Sequence, residues 1–362
     1  MPVRIKPGGF LGLKIKIWGH LFSEIVRKDL CTLCGACVGV CPVTALVIRN
    51  EKPSLAARCV GCGYCYAQCP HTSFDNLSSV YELLFSAPKD KFLGPVKAVY
   101  AARAKDPNIL AHCQDGGVAT ALLAYALDNK LIEGAIVTGA DKDVPFNAQP
   151  RVVLDKEGLI ENAGSRYTSS PNLIALVSAV DDYKLKSIGF VGVGCQITAL
   201  RKMLYHAYGA LKYGLPVKFA IGLFCSGSFY YSGLFEEYLV KRGIDLSRIT
   251  KMEITKGRFI VKSGDEVLLS VKLKEIKPYE RNGCSHCGDF TAELADLSLG
   301  GIDSPDGWTT VIIRTDMGEK LFNDAVEAGY LETKKMKPSA LKITIKLSKI
   351  KKKGATEGAA GS

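Results

Sequence analysis

Apolar and polar positions change rhythm near residue 95, and that change divides the chain. From Val96 to about Leu331, apolar runs alternate with segments of helical spacing, the pattern of an α/β domain. Residues 96–102 read as a strand, 118–127 as an apolar helix and 134–139 as a buried strand. Residues 171–179 have helical spacing, 187–193 are a buried strand, and a helix covers 196–204. Residues 217–224 are another buried strand, 253–262 and 266–273 read as a hairpin, and 309–315 as a late strand. The expected fold is an α/β core, a mixed sheet with flanking helices, preceded by a small α+β module.

The remaining organisation follows from composition. Residues 1–28 form a basic, apolar arm, 29–75 a cysteine-rich module and 76–95 a connector ending in Gly94-Pro95. Residues 332–362 read as a basic tail. The net charge of +11 is concentrated at the ends: residues 1–29 hold six Lys/Arg against two Asp/Glu, and 331–362 nine Lys against two Glu. The body is therefore neutral. Basic ends favour an acidic docking surface or an anionic membrane face, while the last ten residues read as solvated. Phe10, Leu11, Leu13, Ile15, Ile17, Trp18, Leu21, Phe22 and Ile25 make the arm too apolar to float free: it packs on its own domain or on a partner. No apolar run is long enough to span a bilayer, and the first residues do not form a signal peptide. Thirteen cysteines without secretory features suit a reducing cytoplasm.

Eight of those cysteines decide the chemistry. Cys31-x2-Cys34-x2-Cys37-x3-Cys41-Pro42 and Cys59-x2-Cys62-x2-Cys65-x3-Cys69-Pro70 are both C-x2-C-x2-C-x3-C-P, the bacterial ferredoxin run. Three spaced thiolates wrap one 4Fe-4S cube and the fourth cysteine crosses to the other. Cys31, Cys34, Cys37 and Cys69 are assigned to one cube, and Cys59, Cys62, Cys65 and Cys41 to the second. Gly35, Gly61 and Gly63 are expected to let backbone N–H groups approach the sulfurs.

Five cysteines remain. Cys195 follows the strand 187–193 and Cys225 the strand 217–224. If these strands are parallel, both thiols stand at the sheet edge where α/β domains place their sites, and Cys284-x-x-Cys287 can complete a set of four. A third 4Fe-4S cluster, a zinc site and inert buried cysteines all fit this spacing. Cys113 has no companion.

A one-electron relay begins at a cofactor that takes electrons in pairs, commonly a flavin. Three loops are candidates: Gln114-Asp115-Gly116-Gly117, which opens a helix; residues 164–171, with Arg166, Tyr167, Thr168 and Ser169; and Asp303-Ser304-Pro305-Asp306-Gly307-Trp308, whose indole can lie on a ring. Each taken alone is an ordinary turn. Gly192-x-Gly194 lacks the third glycine of a dinucleotide fingerprint.

From about Gly94 to Thr333 the chain resembles the beta subunits of coenzyme F420-reducing hydrogenase and their relatives. The carriers are the loop 114–117, Tyr167-Thr168-Ser169-Ser170-Pro171-Asn172, Cys195-Gln196, Arg201-Lys202-Met203, Cys284-Ser285-His286-Cys287, Ala292-Glu293-Leu294-Ala295-Asp296 and the loop 304–308. The resemblance implies FAD, a 4Fe-4S cluster on Cys195, Cys225, Cys284 and Cys287, and hydride exchange with coenzyme F420. It implies that the three polar loops line the FAD. The added N-terminal double cluster resembles the input subunit of the archaeal F420H2 dehydrogenase, a complex I-like enzyme. The expectation is an F420H2-oxidising subunit with FAD and three 4Fe-4S clusters, cytoplasmic or peripheral on the cytoplasmic membrane face, bound to other subunits and not to nucleic acid. The same module serving a heterodisulfide reductase, hydrogenase or formate dehydrogenase is the alternative; a flavin-free carrier is a second. Arg166, Arg201, Lys202, Lys256 and Arg258 are candidates for the anionic F420 tail, and no catalytic acid is assigned.

Overall fold

The structure is a computed structural model that describes residues 15–360; Phe10, Leu11 and Leu13 of the arm lie outside them. A two-stranded ribbon, β1 (Leu46–Arg49) and β2 (Lys52–Leu55), and two one-turn helices, α1 (Ala36–Gly39) and α2 (Tyr64–Ala67), form the ferredoxin module. The connector carries α3 (Leu77–Leu84).

The core is a mixed eight-stranded sheet. Its strands are β3 (Ala98–Ala104), β4 (Gly134–Ala140), β5 (Ala148–Val153), β6 (Ile188–Val193), β7 (Val217–Leu223), β11 (Leu297–Gly300), β12 (Thr309–Ile313) and β13 (Leu331–Met336). In space they run β13-β3-β12-β11-β7-β6-β4-β5. The centre, from β11 through β7 and β6 to β4, is parallel. The outer pairings are antiparallel. A parallel centre needs helices on both faces, so its strands read as near-continuous apolar runs. Helices α4 (Val118–Asp128) and α7 (Asp316–Glu327) cover one face, where Leu122, Phe322 and Ile221 meet. Helices α5 (Asn172–Asp181) and α6 (Gly194–Tyr205) cover the other, around Phe190, Leu173 and Leu200.

Two expectations need correction, and one open alternative is resolved. Residues 253–262 are not one strand: positive φ at Lys256 and Gly257 turns the chain, giving a three-stranded meander of β8 (Lys251–Thr255), β9 (Arg258–Ser263) and β10 (Glu266–Lys272). The basic tail is structural. Its first residues are β13, paired with β3, and α8 (Lys342–Ala360) follows with Leu341, Thr344 and Ser348 buried. The arm packs at home over its described part: Trp18, Leu21, Ile25 and Val26 close over Leu46, Cys65 and Cys69.

The ferredoxin module and the core are joined backbone to backbone. A Cβ at Gly35 (φ +88°) would stand 2.6 Å from the Pro171 carbonyl oxygen, and one at Gly283 2.3 Å from that of Leu30. Only glycine fits either position. The fully buried Arg281 guanidinium donates to the carbonyls of Cys31 (3.3 Å) and Glu51 (2.7 Å) and lies over the Tyr230 ring. Tyr230 in turn donates to Asp29 at 2.6 Å.

Helix α8 is anchored from a distance. The Asp303 carboxylate accepts from the Ile343 and Thr344 backbone N–H groups at 3.0 and 2.7 Å, capping the helix start. Replacing Asp303 with Ala should cost about 1 kcal/mol, the usual worth of such a cap, measured by anaerobic chemical denaturation against the parent.

Candidate functional site

The parallel strands bring their C-terminal ends to one edge. Cys195 follows β6 in the first turn of α6, and Cys225 follows β7. The register pairs Val193 with Leu223, so both thiols leave the sheet at the same level. Cys225 N–H donates to the Phe290 carbonyl at 2.9 Å, which ties it to the loop carrying Cys284 and Cys287.

The thirteen thiols fall into three groups of four and one outlier. Burial raises Cys34, and Cys69 and Cys31 raise it further. Cys37 is raised by burial and then by Cys31, Cys34 and Cys69. These four line one cavity, with Leu21, Ile25, Ile48 and Pro53 as apolar walls. Cys65 is pushed up to about 12 by burial, with Cys62, Cys59 and Cys41 adding to it. Cys284 is likewise pushed up to about 12 by burial, then by Cys225 and Cys287. Cys195 is raised by burial, then by Cys287. The groups also lie within electrostatic reach of each other: Cys65 adds to the rise at Cys37, and Cys34 to that at Cys195. Mutually repelling buried thiols hold their protons unless a cation takes the place of those protons, which is what iron does. Among the described residues no three His, Cys, Asp or Glu side chains close on a single metal ion. A cube needs wider spacing than a lone zinc ion, since four irons stand between the sulfurs. Cys113 stands apart, its S–H donating to the Asp115 carbonyl at 2.9 Å.

Backbone N–H groups reach the sulfurs, from Leu33 to Cys31 (3.3 Å), Ala45 to Cys41 (3.3 Å) and Gly61 to Cys59 (3.4 Å). Gly61 does what the sequence anticipates. Gly35 serves the contact with Pro171 instead, and Gly63 packs under Ile15.

The three polar loops, distant in sequence, converge. Gln114 Nε2 and Tyr167 Oη both donate to the Met252 carbonyl, each at 3.3 Å. Gly116 N–H donates to Thr309 Oγ1 at 3.0 Å, just beyond the loop 304–308. Asp115 packs against Gly301. Gly117 adopts φ +68° immediately before α4. Thr168 accepts from Ala148 N–H and donates to the Phe146 carbonyl, so it fixes the loop. Ser169 donates to Ser228 Oγ at 2.9 Å, and the Ser228 carbonyl lies 4.0 Å from Cys284 Sγ. The Arg166 Nε is buried and has no hydrogen-bond partner. A donor in that state fits an anionic group such as a phosphate.

Other assignments change. The Trp308 indole is buried beneath Lys334 (4.2 Å) and near Arg103 (5.8 Å), so cations lie where a flavin ring was expected. Ser304 donates to the Trp308 carbonyl and Gly307 has φ +75°, so the loop closes on itself, with Asp306 exposed. Arg201 and Lys202 are not at a pocket mouth. Arg201 is paired with Asp296 at 3.0 Å. Lys202 is fully buried, donating to the Cys69 carbonyl and Thr72 at 2.7 Å each, and burial lowers its pKa to about 8. Lys256 and Arg258 are exposed on the meander turn. The sequence reading missed Lys351: its Nζ donates to the Cys225 carbonyl at 2.6 Å. Burial opposes its charge, but Cys225, Cys287 and Cys284 outweigh that and raise its pKa. A run of lysines gave no signal that one of them points inward.

Residues 99–177 match the N-terminal model, and 185–339 the C-terminal model, of the coenzyme F420 hydrogenase/dehydrogenase beta subunit. The chain belongs to the coenzyme F420 hydrogenase/dehydrogenase beta-subunit family. Residues 24–78 match a 4Fe-4S dicluster domain. The beta subunit of the coenzyme F420 hydrogenase of Methanothermobacter thermautotrophicus is 41% identical over 74% of this chain and 95% of its own length. A component of the F420H2 dehydrogenase of Methanosarcina mazei is 32% identical over 92% of this chain and 93% of its own length. A chain of the F420-reducing [NiFe] hydrogenase complex from Methanosarcina barkeri superposes with a TM-score of 0.71, at 38% identity, over 76% of this chain and 94% of that one.

Asp115 generates a pH test. Burial raises its carboxyl pKa, and Lys251 only partly offsets this. A raised folded pKa means the ionised form destabilises the fold at neutral pH. Replacing Asp115 with Asn should raise the thermal midpoint at neutral pH. The gain should shrink as pH falls through the folded pKa towards about 3.9, followed by thermal unfolding across pH.

Proposed function

We propose that the chain is the electron-input component of a multi-subunit redox complex, oxidising reduced coenzyme F420 and delivering the electrons singly to a partner through three 4Fe-4S clusters. The order of the thiol groups carries this reading. The polar loops reach the group of Cys195, Cys225, Cys284 and Cys287 through Ser169 and Ser228. That group lies within electrostatic reach of the first ferredoxin group at Cys34, and the first lies within reach of the second at Cys37 and Cys65. The order runs from the polar loops to the surface, where Val60 beside Cys59 is 59% exposed.

The donors on these loops suit FAD, which when bound would supply the conversion between a two-electron hydride donor and single-electron carriers. Arg166 offers its unpartnered Nε–H to a phosphate, its Nη1 being held by the Ser165 carbonyl, and the start of α4 behind Gly117 offers backbone N–H groups with the helix dipole behind them. Lys251 and Arg103 both lie near Cys113, and Arg103 and Lys334 share the Trp308 ring. They make a basic approach for a coenzyme tail of phosphate and glutamates. Lys351 and Lys202 each place one positive charge beside a thiol group. The likeness to the Methanosarcina mazei protein spans the ferredoxin module as well as the core, which favours a complex I-like F420H2 dehydrogenase as the partner machine.

Anaerobic protein loaded with iron and flavin tests this directly. Reduced F420 should bleach the flavin and then the cluster absorbance, while NADH should not. Failure of both donors with the cofactors present would refute the substrate assignment. Two variants divide the claim. Arg166→Gln should weaken flavin retention about tenfold, the worth of a charge-assisted hydrogen bond, read by flavin released on gel filtration. Cys195→Ser should remove about a third of the bound iron, with the ferredoxin signals preserved by electron paramagnetic resonance.

A further inference from the structure

A groove of about 560 Å3 opens on the ferredoxin module between the arm and the β1–β2 ribbon. Trp18, Phe22 and Leu55 give it an apolar wall, and Phe22 and Leu55 are each 44% exposed. Arg27, Arg49 and Lys52 line it as well, and among the described residues no acid does. Lys52 is held by Asp29 at 2.7 Å. Arg27 and Arg49 are exposed, and among the described residues neither guanidinium has an ion-pair or hydrogen-bond partner. Glu51, the acid of the ribbon turn, is engaged by the core instead, accepting from the Tyr231 and Ser232 backbone N–H groups at 2.8 and 3.2 Å.

The floor of this groove is thin. Val26 and Pro53 line it and also line the cavity of Cys31, Cys34, Cys37 and Cys69. One layer of side chain therefore separates the two. Trp18 packs in the same apolar cluster as Cys65 of the second group. Electron tunnelling decays steeply with distance, so a redox centre brought to the groove is within range of the thiol groups behind it. Charge decides what sits there. The chain carries a net +11, so a second copy meets repulsion. Residues 1–14 hold Arg4, Lys6 and Lys14 and no acid, so they offer no counter-charge either.

We propose that this groove is the docking site of the electron-accepting partner, an acidic protein that seats an apolar side chain against Phe22 and Leu55 and carboxylates on Arg27 and Arg49. The proposal rests on the iron–sulfur reading above and states the chemistry of the partner. One electron leaves a reduced cluster and one enters the partner's oxidised centre, with no bond made or broken and no proton moved. An apolar centre inside a charged rim is the build of a protein–protein interface. Rim charges of this kind speed the encounter more than they tighten the complex.

The test is stopped-flow reduction of two haem proteins by the whole, cluster-loaded chain, reduced beforehand with dithionite and freed of it by gel filtration. The probes are the soluble domain of cytochrome b5, which is acidic, and cytochrome c, which is basic. The parent should reduce cytochrome b5 at a rate that falls as salt rises. Arg27→Glu with Arg49→Glu should slow that reaction about tenfold at low salt, the lower end of what electrostatic steering supplies, and leave cytochrome c no slower. Arg27→Lys with Arg49→Lys should keep most of the parent rate. Phe22→Ala should slow cytochrome b5 at every salt concentration. Lys105→Glu with Lys130→Glu changes the net charge equally, at exposed positions after β3 and α4, and should have little effect. An unchanged rate in the groove variant overturns the proposal, as does equal slowing by both charge-reversed pairs. A parent dimer in light scattering that the groove variant dissolves overturns it in favour of a second copy. Acceleration by Phe22→Ala overturns it in favour of residues 1–14 as the occupant. Dithionite supplies the electrons, so the result does not depend on F420. A chain that holds iron and ignores reduced F420 loses only the substrate assignment, whereas a chain without iron refutes the reading of the thiol groups and this proposal with it.

Discussion

Ionised sulfur inside a protein is expensive, and this chain places three sets of four thiols in or just beneath its interior. The cost explains features that the fold alone does not require. Cations are stationed beside the sets: Lys202 under the Cys69 carbonyl, Arg281 over the Cys31 carbonyl and Lys351 over that of Cys225. Each comes from the core domain, and the first two reach across to the ferredoxin module. Apolar side chains of the arm close the outer side. The two modules are therefore mutually dependent. The core supplies charge to the ferredoxin loops, and the ferredoxin loop supplies the Cys34 carbonyl to the core backbone.

Close approach makes that exchange effective. Glycines at 35 and 283 let main chain touch main chain where any side chain would hold the modules apart. Leu173 N–H donates across the boundary to the Cys34 carbonyl at 3.2 Å, and the α5 core shares residues with Cys34, Ala36 and Val40. The joint is a continuous interior rather than a hinge. Sheet topology does the matching work on the core side, since parallel β6 and β7 deliver Cys195 and Cys225 to one edge.

Most of the core was legible because its strands and helices have the periods that burial imposes. The strands at 134–139, 187–193 and 217–224 and the helices at 118–127 and 171–179 appear within a few residues of where the pattern places them. The C-terminal helix was not legible, although its spacing is helical. Leu341, Thr344 and Ser348 are its buried positions, with Ile345 packed beside them and Lys351 turned to Cys225, so polar residues interrupt the apolar stripe. Thr344 and Ser348 are buried because Asp303 and the Phe92 carbonyl satisfy their hydroxyls. Lys202 misled for the same reason: its cation is buried among carbonyls that no local pattern announces. The loop 304–308 was read for its indole, and the cations covering it come from β3 and β13, which sequence adjacency does not reveal.

Lys351 belongs to α8, far along the chain from the ferredoxin module, yet it sits beside the thiols of Cys225, Cys284 and Cys287. Synthesis delivers the N-terminal end first. All eight ferredoxin cysteines have left the ribosome long before this lysine exists. The thiol sets therefore gain their counter-charges in chain order, Lys202 and then Arg281 for the ferredoxin module and Lys351 last for Cys225, Cys284 and Cys287.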